Sequence, residues 1–84
     1  MVSSRLKWQF DYVLKRKLGK RIADLRRAKK LTQDQLAEAV GCSVEFISLV
    51  ERGVNAPSVA GLEKFSKVLR IEVKELFTFE QEKR

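Results

Sequence analysis

Apolar residues return every three or four positions along most of this 84-residue chain, which is the spacing of one-sided α-helices. The longest series predicts a first helix over residues 12–29, with Asp11 placed to cap it. Four shorter series follow and end near residue 79. The residues expected to face the core are Leu14, Leu18, Ile22, Leu25, Leu36, Ala37, Val40, Phe46, Ile47, Val50, Leu62, Phe65, Val68, Leu69, Leu76 and Phe77. The pattern therefore predicts an all-α chain of five helices.

Two short helices over residues 33–51 are separated by a tight break. Thr32 precedes the first of them and Gln35 stands three residues later, which is the arrangement of a capping box. Gly41 tolerates the left-handed backbone that the break needs, and Ser43 can cap the second helix. Two helices that cross steeply over a turn of three or four residues form a helix-turn-helix unit.

The spacing of small and aliphatic residues inside this unit supports that interpretation. Counting Gln33 as the first position, Ala37 is the fifth, where two helix backbones approach most closely. Gly41 is the ninth and lies in the turn, while Ile47 and Val50 are the fifteenth and eighteenth and face the core. The alternative is an ordinary helical hairpin, because a hairpin needs only apolar stripes and a glycine.

The chain from about residue 16 to residue 78 resembles the DNA-binding domain of the Cro and phage-repressor proteins, also called the xenobiotic-response-element family. The resemblance is carried by LTQ at 31–33, LA at 36–37, Gly41, FIS at 46–48, ERG at 51–53, Pro57-Ser58 and ELF at 75–77. It implies a lambda-repressor-like, five-helix domain whose third helix, from about Ser43 to Glu51, lies in the DNA major groove.

Two basic residues depart from the family pattern. Lys30 and Arg70 stand where the family prefers a glycine after a helix. At Lys30 we expect either a left-handed backbone, at some cost in free energy, or a slightly different turn.

The outward-facing positions of the third helix are the predicted base-reading residues: Ser43, Val44, Glu45, Ser48 and Leu49. Val44 offers an apolar contact for a thymine methyl group, and Glu45 can accept a hydrogen bond from a cytosine amino group. Glu45 would repel a misplaced phosphate, and Leu49 is unusual for the family. These two residues favour the alternative function, a protein-interaction module such as an antitoxin or anti-repressor.

Phosphate contacts are predicted at the start of the second helix, in the loop after the third, and on the first helix. The free N–H groups of a helix N-terminus favour anions, and the resemblance points to the loop. The candidates are Thr32, Gln33, Arg52, Asn55, Lys20 and Arg21. Glu51 lies near a helix C-terminus, against the dipole, so we expect an arginine partner for it, most simply Arg26.

Charge is distributed unevenly along the sequence. Residues 1–30 carry eleven bases and two acids, a net charge of +9, whereas the other 54 residues carry −2, and the chain as a whole is +7. A basic end of this kind indicates binding to nucleic-acid phosphates. The alternatives are a solvated helix face and an anionic membrane surface.

Composition gives no support for catalysis or for a bound cofactor. There is no histidine, no Cys/His metal spacing, no glycine-rich phosphate loop and no nucleophile elbow, so neither an enzyme nor a metal or small-molecule site is expected. Cys42 is expected to be a buried structural thiol rather than a redox sensor. A single cysteine and the lack of a signal peptide or membrane-spanning run predict a cytoplasmic protein.

The two ends of the chain lie outside the family pattern. In the arm, residues 1–11, Leu6, Trp8 and Phe10 alternate as in a strand, while Leu6 and Phe10 equally fit a helix. The arm is expected to pack on this domain or on a second subunit, and a minor-groove arm is the alternative. Phe79 adds to a predicted dimer surface. The predicted domain spans residues 12–79, and residues 80–84 form a polar tail after it.

Together these features predict a sequence-specific, DNA-binding transcriptional regulator that acts as a homodimer on a two-fold operator of double-stranded DNA. Candidate roles are a restriction–modification controller, a phage or mobile-element repressor, and a stand-alone host regulator. No sensor domain fits in 84 residues, so regulation is expected through concentration, operator arrangement or a partner protein.

Overall fold

A computed structural model describes the backbone of residues 4–79 and the side chains of residues 12–79. Its elements are the α-helices α1 (Ser4–Ala28), α2 (Gln33–Val40), α3 (Val44–Glu51) and α4 (Val59–Leu69), then a 3₁₀ helix (Val73–Phe77). No strand occurs among the described residues, and the all-α prediction is confirmed. The predicted fifth α-helix to Phe79 is instead a five-residue 3₁₀ helix. The predicted polar tail lies outside the described residues.

Helix α1 is longer than the sequence pattern predicted. It begins at Ser4 and runs for 25 residues, so the helical alternative for the arm is confirmed over residues 4–11 and the strand is wrong. Asp11 lies inside the helix, so the prediction that it caps α1 is also wrong. Neither glycine nor proline occurs between Ser4 and Leu18, and the helix therefore continues without a break. What the arm's side chains contact lies outside the described residues.

One core joins all five elements. Its fully buried residues include Ile22 of α1, Leu36 of α2, Ile47 of α3, Phe65 and Leu69 of α4, and Leu76 of the 3₁₀ helix. Burial of each such side chain stabilises the fold by about 1.5–3 kcal/mol. Since α2 and α3 contribute to the same core, the position of α3 relative to the rest of the domain is set by packing.

Two residues predicted to face the core lie at the surface instead. Leu14 is 49% exposed and Phe77 is 37% exposed. Leu14 lies one turn before the buried Leu18, in a part of α1 that extends beyond the core. Phe77 packs edge-to-face on the half-buried Phe79 with the ring centres 6.3 Å apart, so part of its surface is covered by that ring.

The predicted caps of α2 and α3 are present. The Thr32 hydroxyl accepts from Gln35 N at 3.1 Å and the Gln35 side chain accepts from Thr32 N at 2.8 Å, which confirms the capping box. Ser43 caps α3 by accepting from the backbone N–H of Phe46 at 3.1 Å. Ser58 caps α4 in the same way. Gly41 ends α2 with φ 89° and ψ 38°, the left-handed conformation predicted for the turn.

Two helices end on a basic residue in the left-handed conformation. Lys30 has φ 61° and Arg70 has φ 59°. In each case the next residue closes the helix, since Leu31 N donates to Arg26 O at 3.1 Å and Ile71 N to Ser66 O at 3.0 Å. The left-handed alternative at Lys30 is therefore confirmed, at a cost of about 1–2 kcal/mol compared with a right-handed residue.

Candidate nucleic-acid interface

The first turn of α3 presents its outer side chains to solvent. Val44 is 38% exposed, and Ser43 and Glu45 are exposed beside it. Ile47 and Val50, on the opposite face of α3, are 0% and 1% exposed and hold the helix against the core. A short helix with one face locked and its first turn free can enter a groove without a rearrangement of the domain.

Two further predicted base-reading residues lie at the edge of this surface. Ser48 and Leu49 are half-buried, and the Leu49 carbonyl accepts hydrogen bonds from Val54 N at 2.9 Å and Asn55 N at 3.3 Å. These bonds hold the loop after α3 against the end of the helix. Asn55, a predicted phosphate contact, is thereby placed with an exposed side chain close to α3.

A buried ion pair joins α1 to α3. Arg26 donates from Nε to Glu51 Oε2 at 2.7 Å and from Nη2 to Glu51 Oε1 at 3.2 Å. The remaining Nη1 of Arg26 donates to the Leu31 carbonyl at 2.8 Å. The two side chains are only 11% and 6% exposed. The predicted pairing of Glu51 with Arg26 is therefore confirmed, and every buried side-chain polar atom among the described residues has a partner.

Gln33 takes part in the same hydrogen-bond network. Its side-chain nitrogen donates to Glu51 Oε1 at 2.9 Å, and the residue is half-buried. One function of Gln33 is thus to complete the carboxylate's hydrogen bonds. The first N–H groups of α2 have no acceptor inside the helix, so the start of α2 next to Thr32 can still receive an anion.

The predicted basic contacts of α1 lie on two different sides of that helix. Lys20 lines a groove between α1 and the C-terminal end of α3, and Arg52 lines the same groove. Arg21 is half-buried and its Nε donates to the Glu75 carbonyl at 3.0 Å, so it ties α1 to the 3₁₀ helix. A phosphate contact by Arg21 stays a prediction.

Cys42 lies in the turn between α2 and α3. It is half-buried and packs against the core. Burial raises the pKa of the Cys42 thiol above its ordinary value, although the positive charge of Lys64 acts in the opposite direction. A raised pKa keeps the thiol protonated at neutral pH, which agrees with the predicted structural role.

The part of the chain that the structure describes forms neither a cluster of metal ligands nor a helix that could span a membrane. No three or more His, Cys, Asp or Glu side chains there are grouped to hold a metal ion. No helix in that part combines the length and the apolar character needed to cross a membrane.

A family model described as helix-turn-helix, HTH_3, matches residues 22–76. The chain belongs to this helix-turn-helix family. The matched residues include α2, α3 and the buried ion pair, and they exclude most of α1. The resemblance found in the sequence is thus confirmed.

Other members of the helix-turn-helix family show how far the similarity extends. The uncharacterized HTH-type transcriptional regulator YazB of Bacillus subtilis is 40% identical over 58 residues, which cover 69% of this chain and 84% of YazB. The immunity repressor protein of Bacillus phage phi105 is 39% identical over 56 residues, but the match covers only 39% of that repressor and 67% of this chain.

A solved structure with the same fold is the restriction-modification controller protein C.AhdI from Aeromonas hydrophila. It superposes with a TM-score of 0.76 at 38% identity, covering 79% of this chain and 100% of that one. The helix-turn-helix chain described here is therefore a DNA-binding transcriptional regulator by family.

Proposed function

We propose that two copies of this regulator bind a two-fold related DNA operator and that α3 of each copy enters the major groove. The observation that carries the proposal is the geometry of α3, whose first turn exposes Val44 and Glu45 while Ile47 and Val50 lock the other face. A two-fold dimer presents two such helices to two half-sites, which is how helix-turn-helix domains gain affinity and operator symmetry.

The exposed side chains of α3 define what this surface can recognise. Val44 can contact a thymine methyl group, and Glu45 can accept a hydrogen bond from a cytosine amino group. Ser43, Ser48 and Leu49 surround them and complete the proposed base-reading set. No arginine, asparagine or glutamine is in this set, so we expect apolar and single-acceptor contacts rather than bidentate ones.

Backbone phosphates would be bound around this surface. Thr32 and Gln33 stand at the start of α2, where the first N–H groups have no carbonyl partner within the helix. Arg52 and Asn55 follow α3, and Lys20 lies across the groove from Arg52. Such contacts position α3 in the groove and carry no sequence information.

Selection of binding duplexes from a random pool, followed by footprinting, tests the proposal. The selected duplex should be bound at least about 1,000-fold more tightly than unrelated DNA, with two protein copies per duplex. Native mass spectrometry of the complex gives the stoichiometry. A pool from which no preferred duplex emerges, or a complex with one protein copy, would contradict the proposal.

Two substitutions separate base reading from simple charge effects. Val44→Ala should weaken binding to the selected duplex by about 1 kcal/mol, roughly fivefold, because a thymine contact is lost. Glu45→Ala should relax the preference at one base pair. Glu63→Ala removes the same charge from an exposed position of α4 and is the control. If Glu45→Ala and Glu63→Ala strengthen binding to all duplexes equally, Glu45 has no base-reading role.

The remaining parts of the proposal follow from this activity. We propose a repressor or controller type of regulator, acting in the cytoplasm where its operator lies, without catalysis and without a bound cofactor.

A further inference from the structure

A strongly basic groove runs along one side of α1 beside the C-terminal end of α3. The basic residues that line it are Arg16, Lys17, Lys20, Arg27 and Arg52, and we call it the basic groove. Glu51 also lines it, but its carboxylate already accepts hydrogen bonds from Arg26 and Gln33. The basic groove therefore carries a large excess of positive charge, which is complementary to a polyanion.

The basic residues of α1 form a row. Arg16, Lys20 and Arg27 are spaced by four and seven residues, close to one and two helical turns, so they lie on the same face of the helix. At 1.5 Å per residue the row is about 16 Å long. One DNA strand carries a phosphate about every 3.4 Å along the helix axis, so the row can face several successive phosphates.

The charged ends of these side chains are held at the surface rather than buried. Arg16 Nη1 donates to the Tyr12 hydroxyl at 2.8 Å, and its guanidinium lies 5.5 Å from the centre of the Tyr12 ring. Asp24 lies between Lys20 and Arg27, at 2.9 Å and 3.7 Å. Exposed pairs of this kind contribute little to stability, so the bases can exchange Asp24 for a phosphate at little cost. The contact with Tyr12 does not neutralise the charge of Arg16, and no acid among residues 12–79 forms an ion pair with it.

The basic groove adjoins the proposed base-reading helix. Arg52 is the residue that follows α3 directly, and it shares the groove with Lys20. The family match begins at residue 22, so the first part of the row belongs to a part of α1 that the family model does not cover. Arg27, Glu51 and Arg52 lie within the matched residues, so the groove joins the shared helix-turn-helix domain to the part of α1 that precedes the match.

We infer that the basic groove binds the DNA phosphodiester backbone beside the bases that α3 contacts, through Arg16 and Arg27 together with Lys20 and Arg52. The inference rests on the proposed function and extends its phosphate contacts at Lys20 and Arg52 along α1 to Arg16 and Arg27. The groove supplies affinity and salt dependence, while the specificity stays with α3.

The test compares two double variants with the same change in charge. Arg16→Ala/Arg27→Ala removes two bases from the groove, and Lys67→Ala/Lys74→Ala removes two exposed bases from α4 and the 3₁₀ helix. Binding to the selected duplex and to an unrelated duplex is measured by fluorescence anisotropy between about 50 and 300 mM KCl. Each lost phosphate contact lowers the log–log slope by about 0.9.

The groove variant lacks two phosphate contacts in each of the two bound copies, so it should lose about 3–4 from the slope on both duplexes and keep the ratio of the two affinities. The control variant should keep the wild-type slope. Arg16→Lys/Arg27→Lys keeps both charges and should also keep the slope, and circular dichroism of each variant verifies that it is folded. A wild-type slope in the groove variant, or an equal loss in the control, overturns the inference.

Phosphate-ethylation interference gives the location of the contact. Ethylation of the phosphates that face the groove should interfere with binding of the wild type and no longer with that of the groove variant, whereas interference at the phosphates proposed for Gln33 and Asn55 should remain in both. An unchanged interference pattern together with a reduced slope would mean that the two arginines act only through net charge, and it would overturn the inference. If the wild type prefers no duplex at all, the proposed function fails, and the slopes on the unrelated duplex still decide whether the groove binds phosphate.

Discussion

Arg26 and Arg27 are neighbours in the sequence, and the structure gives them opposite surroundings. Arg26 is buried, and each of its three guanidinium nitrogens donates a hydrogen bond, two of them to Glu51 and one to the Leu31 carbonyl. Arg27 is 65% exposed, and its described ion pair is a 3.7 Å contact with Asp24. A rotation of about 100° per residue around α1 turns one guanidinium toward α3 and the other toward the basic groove. The same side chain is thus part of the fold at one position and part of a phosphate-binding surface at the next.

Two arginines with the same charge can thus have opposite roles, so net charge alone is a poor guide to a binding surface. A buried, bidentate pair has been removed from water, and its charges already neutralise each other, so it attracts an anionic ligand weakly. An exposed base that is screened and loosely paired keeps that capacity at almost no cost in stability. Substitutions of the two arginines should therefore separate folding from binding.

The largest effect is expected for Arg26→Ala. It leaves the Glu51 carboxylate buried with only the Gln33 amide as a partner, and breaking one side of a buried pair costs about 3–5 kcal/mol. Urea unfolding followed by circular dichroism measures the loss. Arg26→Lys keeps the charge without the two-pronged geometry and should recover only part of it. A loss below about 1 kcal/mol for Arg26→Ala would mean that the pair is not a structural element.

The second largest effect is expected where α1 and α3, the helices that form both the buried ion pair and the basic groove, approach each other most closely. A Cβ at Gly19 would overlap the Val50 carbonyl oxygen and would lie 2.9 Å from the Glu51 carbonyl oxygen. Backbone atoms cannot move aside like a flexible side chain, so Gly19→Ala should lower the free energy of unfolding by about 1–3 kcal/mol.

Gly61→Ala in α4 is the matched control for Gly19→Ala. Its added Cβ would meet the Pro57 and Ser58 side chains at 3.1 and 3.4 Å, a smaller conflict that the better helix propensity of alanine offsets. Its unfolding free energy should stay within about 1 kcal/mol of the wild type. Equal losses in the two variants would contradict the close approach of α1 to α3.

The smallest effect on stability is expected for Arg27→Ala. The side chain is exposed and its ion pair is long, so the free energy of unfolding should change by no more than about 0.5 kcal/mol. The same variant should bind DNA more weakly at low salt, because one phosphate contact is lost. Thermal unfolding measures the change in stability, and fluorescence anisotropy on the same sample measures the change in DNA affinity. A destabilised Arg27→Ala protein would remove the distinction between the two arginines.

The caps and the turn could be predicted because each depends on residues close together in the chain. Thr32 and Ser43 each act on an N–H three residues later, and Gly41 adopts the conformation that glycine allows most readily. The partner of Glu51 was also predictable, since an acid at a helix C-terminus calls for a nearby base.

The predictions that were wrong concern where a periodic pattern stops. Asp11 has the chemistry of a cap, but the residues before it continue the helix. Leu14 fits the apolar stripe of α1, yet it lies beyond the core that the other elements form. The apolar period identifies the side of a helix that faces inward. It contains no information on how far the neighbouring helices reach.

Part of the basic groove could have been predicted from the spacing of basic residues along α1, which a count of charges does not reveal. Arg16, Lys20 and Arg27 repeat at helical spacing, and that row could have been found once α1 was predicted. Arg52 could not have been added to it, because its place in the groove depends on how α3 crosses α1.

Local order in this protein follows from its residues alone, because capping, turn formation and apolar spacing are contacts of three or four residues. The division of its charges into a buried pair and an open groove arises only when α1 packs across the end of α3, with Gly19 at the point of closest approach. That packing joins residues about 25 to 35 positions apart in the chain, and burial, rather than residue type, then decides which arginine serves the fold and which serves DNA.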